Sequence, residues 1–193
     1  MDFLASLPVP LTISSRRFLA LWDGWRDGAL LPRRHRLDTA ALGDLLGHCL
    51  LLQIRGHDDM PIRFAGNTIR ELLGAELAGT NYLDLTAPEN RRRRADLLLT
   101  EVAQPCAAVI YYWLSFEQGG EMPVELVSAP MLADDGDMAS LVVACATPLT
   151  GSGDSSIVER ASYAEGDGLH FINIGAGLPP GVAAIGRPVG EMQ

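Results

Sequence analysis

Phe18, Leu21, Trp22 and Trp25 recur at i, i+3, i+4 and i+7, the spacing of a helix with one apolar stripe. Ser14 or Ser15 can cap its start, and Gly28, with Pro32 just beyond, marks its stop. The stripe admits two readings: a helix packed on its own domain, or a dimerising helix, because Trp and Phe are favoured interface anchors. Leu42, Leu45 and Leu46 predict a second helix behind a cap at Asp38 or Thr39, with Gly47 near its end. Residues 49–54 are a nearly continuous apolar run, read as a buried central strand. The turn cluster at residues 56–59 joins it to a second strand, residues 61–65, as a hairpin. A short helix follows at residues 69–73, closed by Gly74, and then an irregular stretch. A longer helix is expected across residues 87–104, capped at Asp84 or Thr86, with Ala95, Leu97, Leu98 and Val102 as its apolar stripe.

Three strands come next, at residues 107–116, 124–132 and 138–147, at the spacing of an antiparallel meander. In the first of them Val109, Tyr111, Trp113 and Ser115 share one face, and Ile110, Tyr112, Leu114 and Phe116 share the other. Both faces are apolar. The second must therefore be covered, by the N-terminal helix or by another chain. After Pro148 the pattern dissolves: residues 149–193 hold nine glycines and three prolines, with one strand-like stretch at residues 169–174. This tail is expected to be flexible or loosely docked.

A chain of 193 residues with 48% hydrophobic and 20% charged side chains makes one globular domain with room for an appendage. No apolar run approaches the ~18 residues of a spanning helix. The first residues lack the basic region of a signal peptide, so the expected location is cytoplasmic. Cys49, Cys106 and Cys145 are widely spaced, and no Cys/His pair stands at zinc-ligand spacing. Nucleophile-elbow, phosphate-loop and dinucleotide motifs are also missing. All 15 basic residues are arginine. Residues 1–57 carry seven Arg against five acids, whereas residues 105–193 carry two Arg against eleven. The acidic second half disfavours nucleic acid and anionic membrane as partners. Arg91, Arg92, Arg93 and Arg94 are consecutive on the long helix, so at about 100° per residue they cannot form one patch.

Two strands, a helical crossover and three strands is an order that resembles the PAS domain. The details are similar to a subgroup of small stand-alone PAS proteins of alphaproteobacteria. Its marks run through Leu21-Trp22 with Trp25, Arg26 and Gly28, Pro32 with Arg34, Leu37-Asp38, and Leu45-Leu46-Gly47. They continue in Arg63-Phe64-Ala65-Gly66-Asn67, where Asn67 departs from the Thr or Ser of the pattern, and in Leu73-Gly74, Glu76-Leu77 and Gly79. Glu125 and Pro130 complete the series, with Met131 in place of a Leu. The resemblance covers residues 14–148. It implies an α+β fold, a five-stranded antiparallel sheet of order 2-1-5-4-3 with a helical crossover on one face and extra N-terminal helices. The implied division is an N-terminal helical cap at residues 1–37, the PAS domain at 38–148 and the tail at 149–193.

The resemblance implies a non-enzymatic sensory or adaptor module, dimeric, that takes a small metabolite and signals through a separate protein. The alternative is a ligand-free interaction domain with a filled core. The cofactor stays unknown, but two are disfavoured. A covalently bound flavin needs a reactive Cys at the start of the crossover helix, and residues 66–72 hold none. Haem needs an axial His on the long helix, and residues 87–104 hold none. The candidate ligand-binding residues are Phe64, Asn67, Tyr82, Leu98, Tyr111 and Trp113, apolar walls with a few polar tips. The candidate dimer interface is Phe18, Leu21, Trp22 and Trp25.

Overall fold

The structure, a computed structural model, describes residues 10–73, 76–116, 119–149, 161–163 and 168–180. Helix α1 spans Ile13–Arg26, and its cap is Thr12, whose hydroxyl accepts from the Ser15 amide at 3.2 Å. The cap thus lies ahead of the two serines the sequence offered. Asp27 turns left-handed at φ 50° and Gly28 follows at φ 82°, which stops the helix. Asp38 caps α2 (Thr39–Leu42) by accepting from the amides of Ala40 and Ala41. A 3-10 turn, Gly43–His48, continues to strand β1 (Cys49–Gln53), which pairs with β2 (Ile62–Ala65). Gly66 is needed for a close approach: a Cβ there would lie 2.1 Å from the Leu46 carbonyl oxygen. Helices α3 (Asn67–Leu73) and α4 (Arg91–Ala103) form the crossover. The Gly74 stop expected for α3 lies outside the described residues.

Strands β3 (Ala107–Phe116), β4 (Glu121–Leu132) and β5 (Ala139–Pro148) close the sheet, with Gly119 and Gly120 turning at φ 88° and 97° between β3 and β4. The order is β2-β1-β5-β4-β3, the 2-1-5-4-3 that the resemblance implies, and every pairing is antiparallel. The sheet does not stop at β3. Strands β6 (Ala161–Tyr163) and β7 (Gly168–Ile172) from the tail both pair with β3. The strand-like stretch of the tail is therefore part of the sheet, and Ile172 and Ile174 are buried. The remainder of the tail, residues 150–160, 164–167 and 181–193, lies outside the described residues.

The sheet has a core on each face. The crossover face buries Leu52, Ile62, Tyr82, Leu98, Tyr112 and Leu126 under α3 and α4. The outer face buries Leu51, Val109, Val127, Val143 and Cys145. Helix α1 lies across this outer face: Phe18, Leu19 and Trp22 are 0% exposed and Trp25 9%. The Trp22 indole N–H donates to the Pro130 carbonyl at 3.2 Å, and the Arg26 guanidinium stacks over the same ring at 5.1 Å. Of the four residues expected at a dimer interface, Phe18, Trp22 and Trp25 are buried against the outer face of their own sheet and Leu21 is half-buried. Among the described residues no helix is long and apolar enough to cross a membrane.

Truncating Trp22 to Ala should destabilise the fold by about 3–5 kcal/mol, since it leaves a cavity and an unanswered carbonyl at Pro130. Denaturant unfolding at several protein concentrations checks this. A loss below about 1 kcal/mol would mean that α1 is not held on the sheet.

Candidate functional site

Two polar arrangements and one groove stand out from the apolar layers. On the crossover face, α4 turns Ala95, Leu98 and Glu101 toward the sheet, at i, i+3 and i+6. Ser128 lies beneath, in a row of small side chains formed by Ala108 on β3 and Ala144 on β5. The Ser128 hydroxyl donates to Glu101 Oε1 at 2.6 Å, while Oε2 has no partner among the described residues. Glu101 is 0% and Ser128 1% exposed. Burial pushes the Glu101 carboxyl up to about 8, against the opposing pull of Ser128 and Arg94, so it is mostly protonated at neutral pH. Cys106 is buried, and desolvation together with the Glu101 carboxyl raises its thiol to about 12.

On the outer face, Glu125 anchors the start of α1. Its carboxylate accepts from the Thr12 hydroxyl at 2.6 Å, the Thr12 amide at 3.0 Å and the Tyr111 hydroxyl at 3.0 Å. Burial and this carboxylate together hold the Tyr111 phenol well above its ordinary range. An acid at a helix N-terminus also complements the helix dipole. His170 on β7 is buried nearby, and neither ring nitrogen has a partner among the described residues. Burial lowers its pKa, which keeps the imidazole neutral.

The groove lies at the β2 end of the outer face and has a volume of about 390 Å³. Its floor is the cross-strand row Phe64, Leu51 and Val143, walled by Leu42 and Leu46. Its rim carries Arg34, His35, Arg63 and Asp134. Asp134 Oδ1 accepts from the His35 amide at 2.9 Å and lies 2.8 Å from the His35 ring nitrogen. These contacts, with Arg34 nearby, hold the Asp134 carboxyl below the usual carboxylate range.

A family model for the PAS domain matches residues 11–145. The chain belongs to the PAS domain family. A LOV domain of the blue-light photoreceptor Aureochrome1, solved in its light state, is similar at 16% identity. That match covers 59% of this chain and 89% of the LOV chain, with a TM-score of 0.42. No curated protein matches the sequence.

The six residues expected to line a PAS ligand cavity are not brought together. Tyr82 and Leu98 share the crossover core, 3% and 4% exposed. Tyr111 and Trp113 point to the opposite face, because strand alternation places them on the outer face with Val109. Phe64 also faces outward, into the groove, and is 36% exposed. Asn67 is exposed at the start of α3, where its side-chain oxygen accepts from Arg70. The arginine run splays as helical spacing requires. Arg91 reaches back to the Thr86 carbonyl at 3.2 Å and Arg94 lies over the Tyr112 ring, while Arg92 and Arg93 are exposed. Among the described residues no three His, Cys, Asp or Glu side chains group to hold a metal.

The Glu101 proton gives a pH signature. Its folded-state value of about 8 exceeds the ordinary 4.5, so the folded chain holds a proton that the unfolded chain releases. The contribution to stability is full below about 4.5 and is lost as pH rises toward 8, at up to about 1.4 kcal/mol per pH unit. Glu101→Gln keeps an acceptor for Ser128 and cannot ionise. Its melting temperature relative to the parent should rise from pH 5 to pH 8.5. Parallel pH curves for the two proteins would show that Glu101 is charged and compensated instead.

Proposed function

We propose that this PAS chain is a non-enzymatic sensory and adaptor module that signals through a separate protein, with its crossover interior packed by its own side chains. The observation that carries this reading is the crossover core. Tyr82, Leu98, Tyr112 and Leu126 are each no more than 5% exposed there and bury one another. Of the two readings the sequence left open, the filled interior is the one this packing favours. A sensor of this kind reports by its surfaces, and loss or gain of a contact at one face is felt at the other through a shared, rigid sheet.

The non-enzymatic part of the proposal rests on access. Glu101 and Ser128 have the residue types of an acid and a nucleophile, yet both lie under α4 beyond the reach of solvent. A general acid must reach the proton it transfers, within hydrogen-bond distance of a bound substrate. Neither side chain meets that requirement in this arrangement.

Methyl-labelled protein tests the reading directly. The low-molecular-weight fraction of a cell extract is added, and the resonances of Leu98, Ile110 and Leu126 are followed. The filled-core reading expects them to stay in place. Shifts confined to these crossover methyls would mean that a metabolite enters, and the ligand-sensor reading would replace it.

A further inference from the structure

We propose that the groove at the β2 end of the outer face is a binding site for a small organic carboxylate with an apolar body. The inference stands on the groove and not on the adaptor reading, because the two concern opposite faces of the sheet. It begins with widths. Strands lie about 4.8 Å apart and a helix with its side chains is about 10–12 Å across, so one helix covers roughly two strands. Helix α1 spends itself on β4 and β5, fastened by Trp22 to the Pro130 carbonyl. The row from Val143 through Leu51 to Phe64 runs on past its edge to the last strand. The segment containing Leu42 and Leu46 walls that row without closing it, and the Phe64 ring remains 36% exposed. A hollow of about 390 Å³ falls within the range of small-ligand sites, roughly 300–1,000 Å³.

The rim supplies the charge selection. Two guanidiniums, Arg34 and Arg63, share the rim with one carboxylate, Asp134, which His35 already engages. The Arg63 side chain has no hydrogen bond or ion pair among the described residues. In a chain of net charge −9 this is a local excess of positive charge. The contrast with the larger hollow beside α4, of about 570 Å³, is instructive. There Arg91 stands 3.7 Å from Asp84 and donates to the Thr86 carbonyl, so that cation is answered within the chain. At the outer groove Arg34 has Asp134 nearby, but Arg63 has no such partner among the described residues. An apolar floor with an unanswered guanidinium at its edge selects an anion on a hydrocarbon body, and a planar guanidinium matches a carboxylate in two parallel hydrogen bonds.

Octanoate is the probe, and octanamide is its uncharged counterpart of the same length. Calorimetric titration of the full chain should show octanoate binding at least about tenfold tighter than octanamide, the scale of one charge-assisted pair. The methyl resonances of Leu46, Leu51 and Val143 should shift together on titration. Arg63→Gln lies on an exposed position and should fold normally. It should weaken octanoate about tenfold and leave octanamide unchanged. Phe64→Ala should weaken both. Equal affinity for the two probes, or an Arg63→Gln protein that binds octanoate as the parent does, overturns the assignment. So does a groove that ignores octanoate but takes an acidic, leucine-containing peptide, which would make it a protein-docking surface.

Discussion

Everything in this fold follows from a sheet that is apolar on both faces. A strand such as β3 places Val109 and Tyr111 on one side and Ile110 and Tyr112 on the other, and neither set can be left in water. The crossover helices take one side. The other is taken by α1, whose Phe18, Trp22 and Trp25 would otherwise form an exposed apolar stripe. One constraint therefore explains two features that looked separate in the sequence. The aromatic N-terminal helix and the doubly apolar strands are each other's solution. A helix is narrower than the sheet, so the coverage ends before β2, and the groove is what remains.

The buried polar groups mark where these layers are fastened. Glu125 holds the Thr12 cap and the Tyr111 hydroxyl together, so the start of α1 is tied to β3 and β4 by charge-assisted hydrogen bonds. Glu101 fastens α4 to β4 through Ser128, but as a protonated acid with one oxygen unanswered. The difference lies in the partners. Glu125 accepts from three donors and stands at a helix N-terminus, whereas Glu101 has one donor and sits mid-helix over apolar side chains. Buried carboxyls under the two layers thus have unlike hydrogen-bond partners, and the raised Glu101 carboxyl couples folding to pH between about 4.5 and 8.

Strands and their order were legible because apolar runs with turn residues between them leave few antiparallel assemblies, and the family marks chose among these. Face assignment was legible only in part. Alternation correctly separated Tyr111 from Tyr112, but parity within a strand does not say which face the crossover covers, and Tyr111 and Trp113 lie away from it. Asn67 has the residue type of a polar tip in a pocket but faces solvent, because the first turn of α3 points it out beside Arg70. Glu101 was missed for a different reason. Apolar side chains at helical spacing mark the buried face of α4, and the charged residue at its third buried position breaks that pattern. Its place at i+6 from Ala95 was the available signal. Thr12 was hidden by two serines just beyond it that could equally have capped α1.

The central claim is that α1 covers the outer face of its own sheet. Isotope-filtered NOE spectroscopy on an equimolar mixture of labelled and unlabelled chains tests it most directly. Cross-peaks between the Trp22 indole and the methyl groups of Ala129 and Met131, which flank the Pro130 carbonyl that Trp22 binds, should arise within single chains. The same cross-peaks appearing only between labelled and unlabelled copies would contradict the account, because the face would then be covered by the helix of a partner.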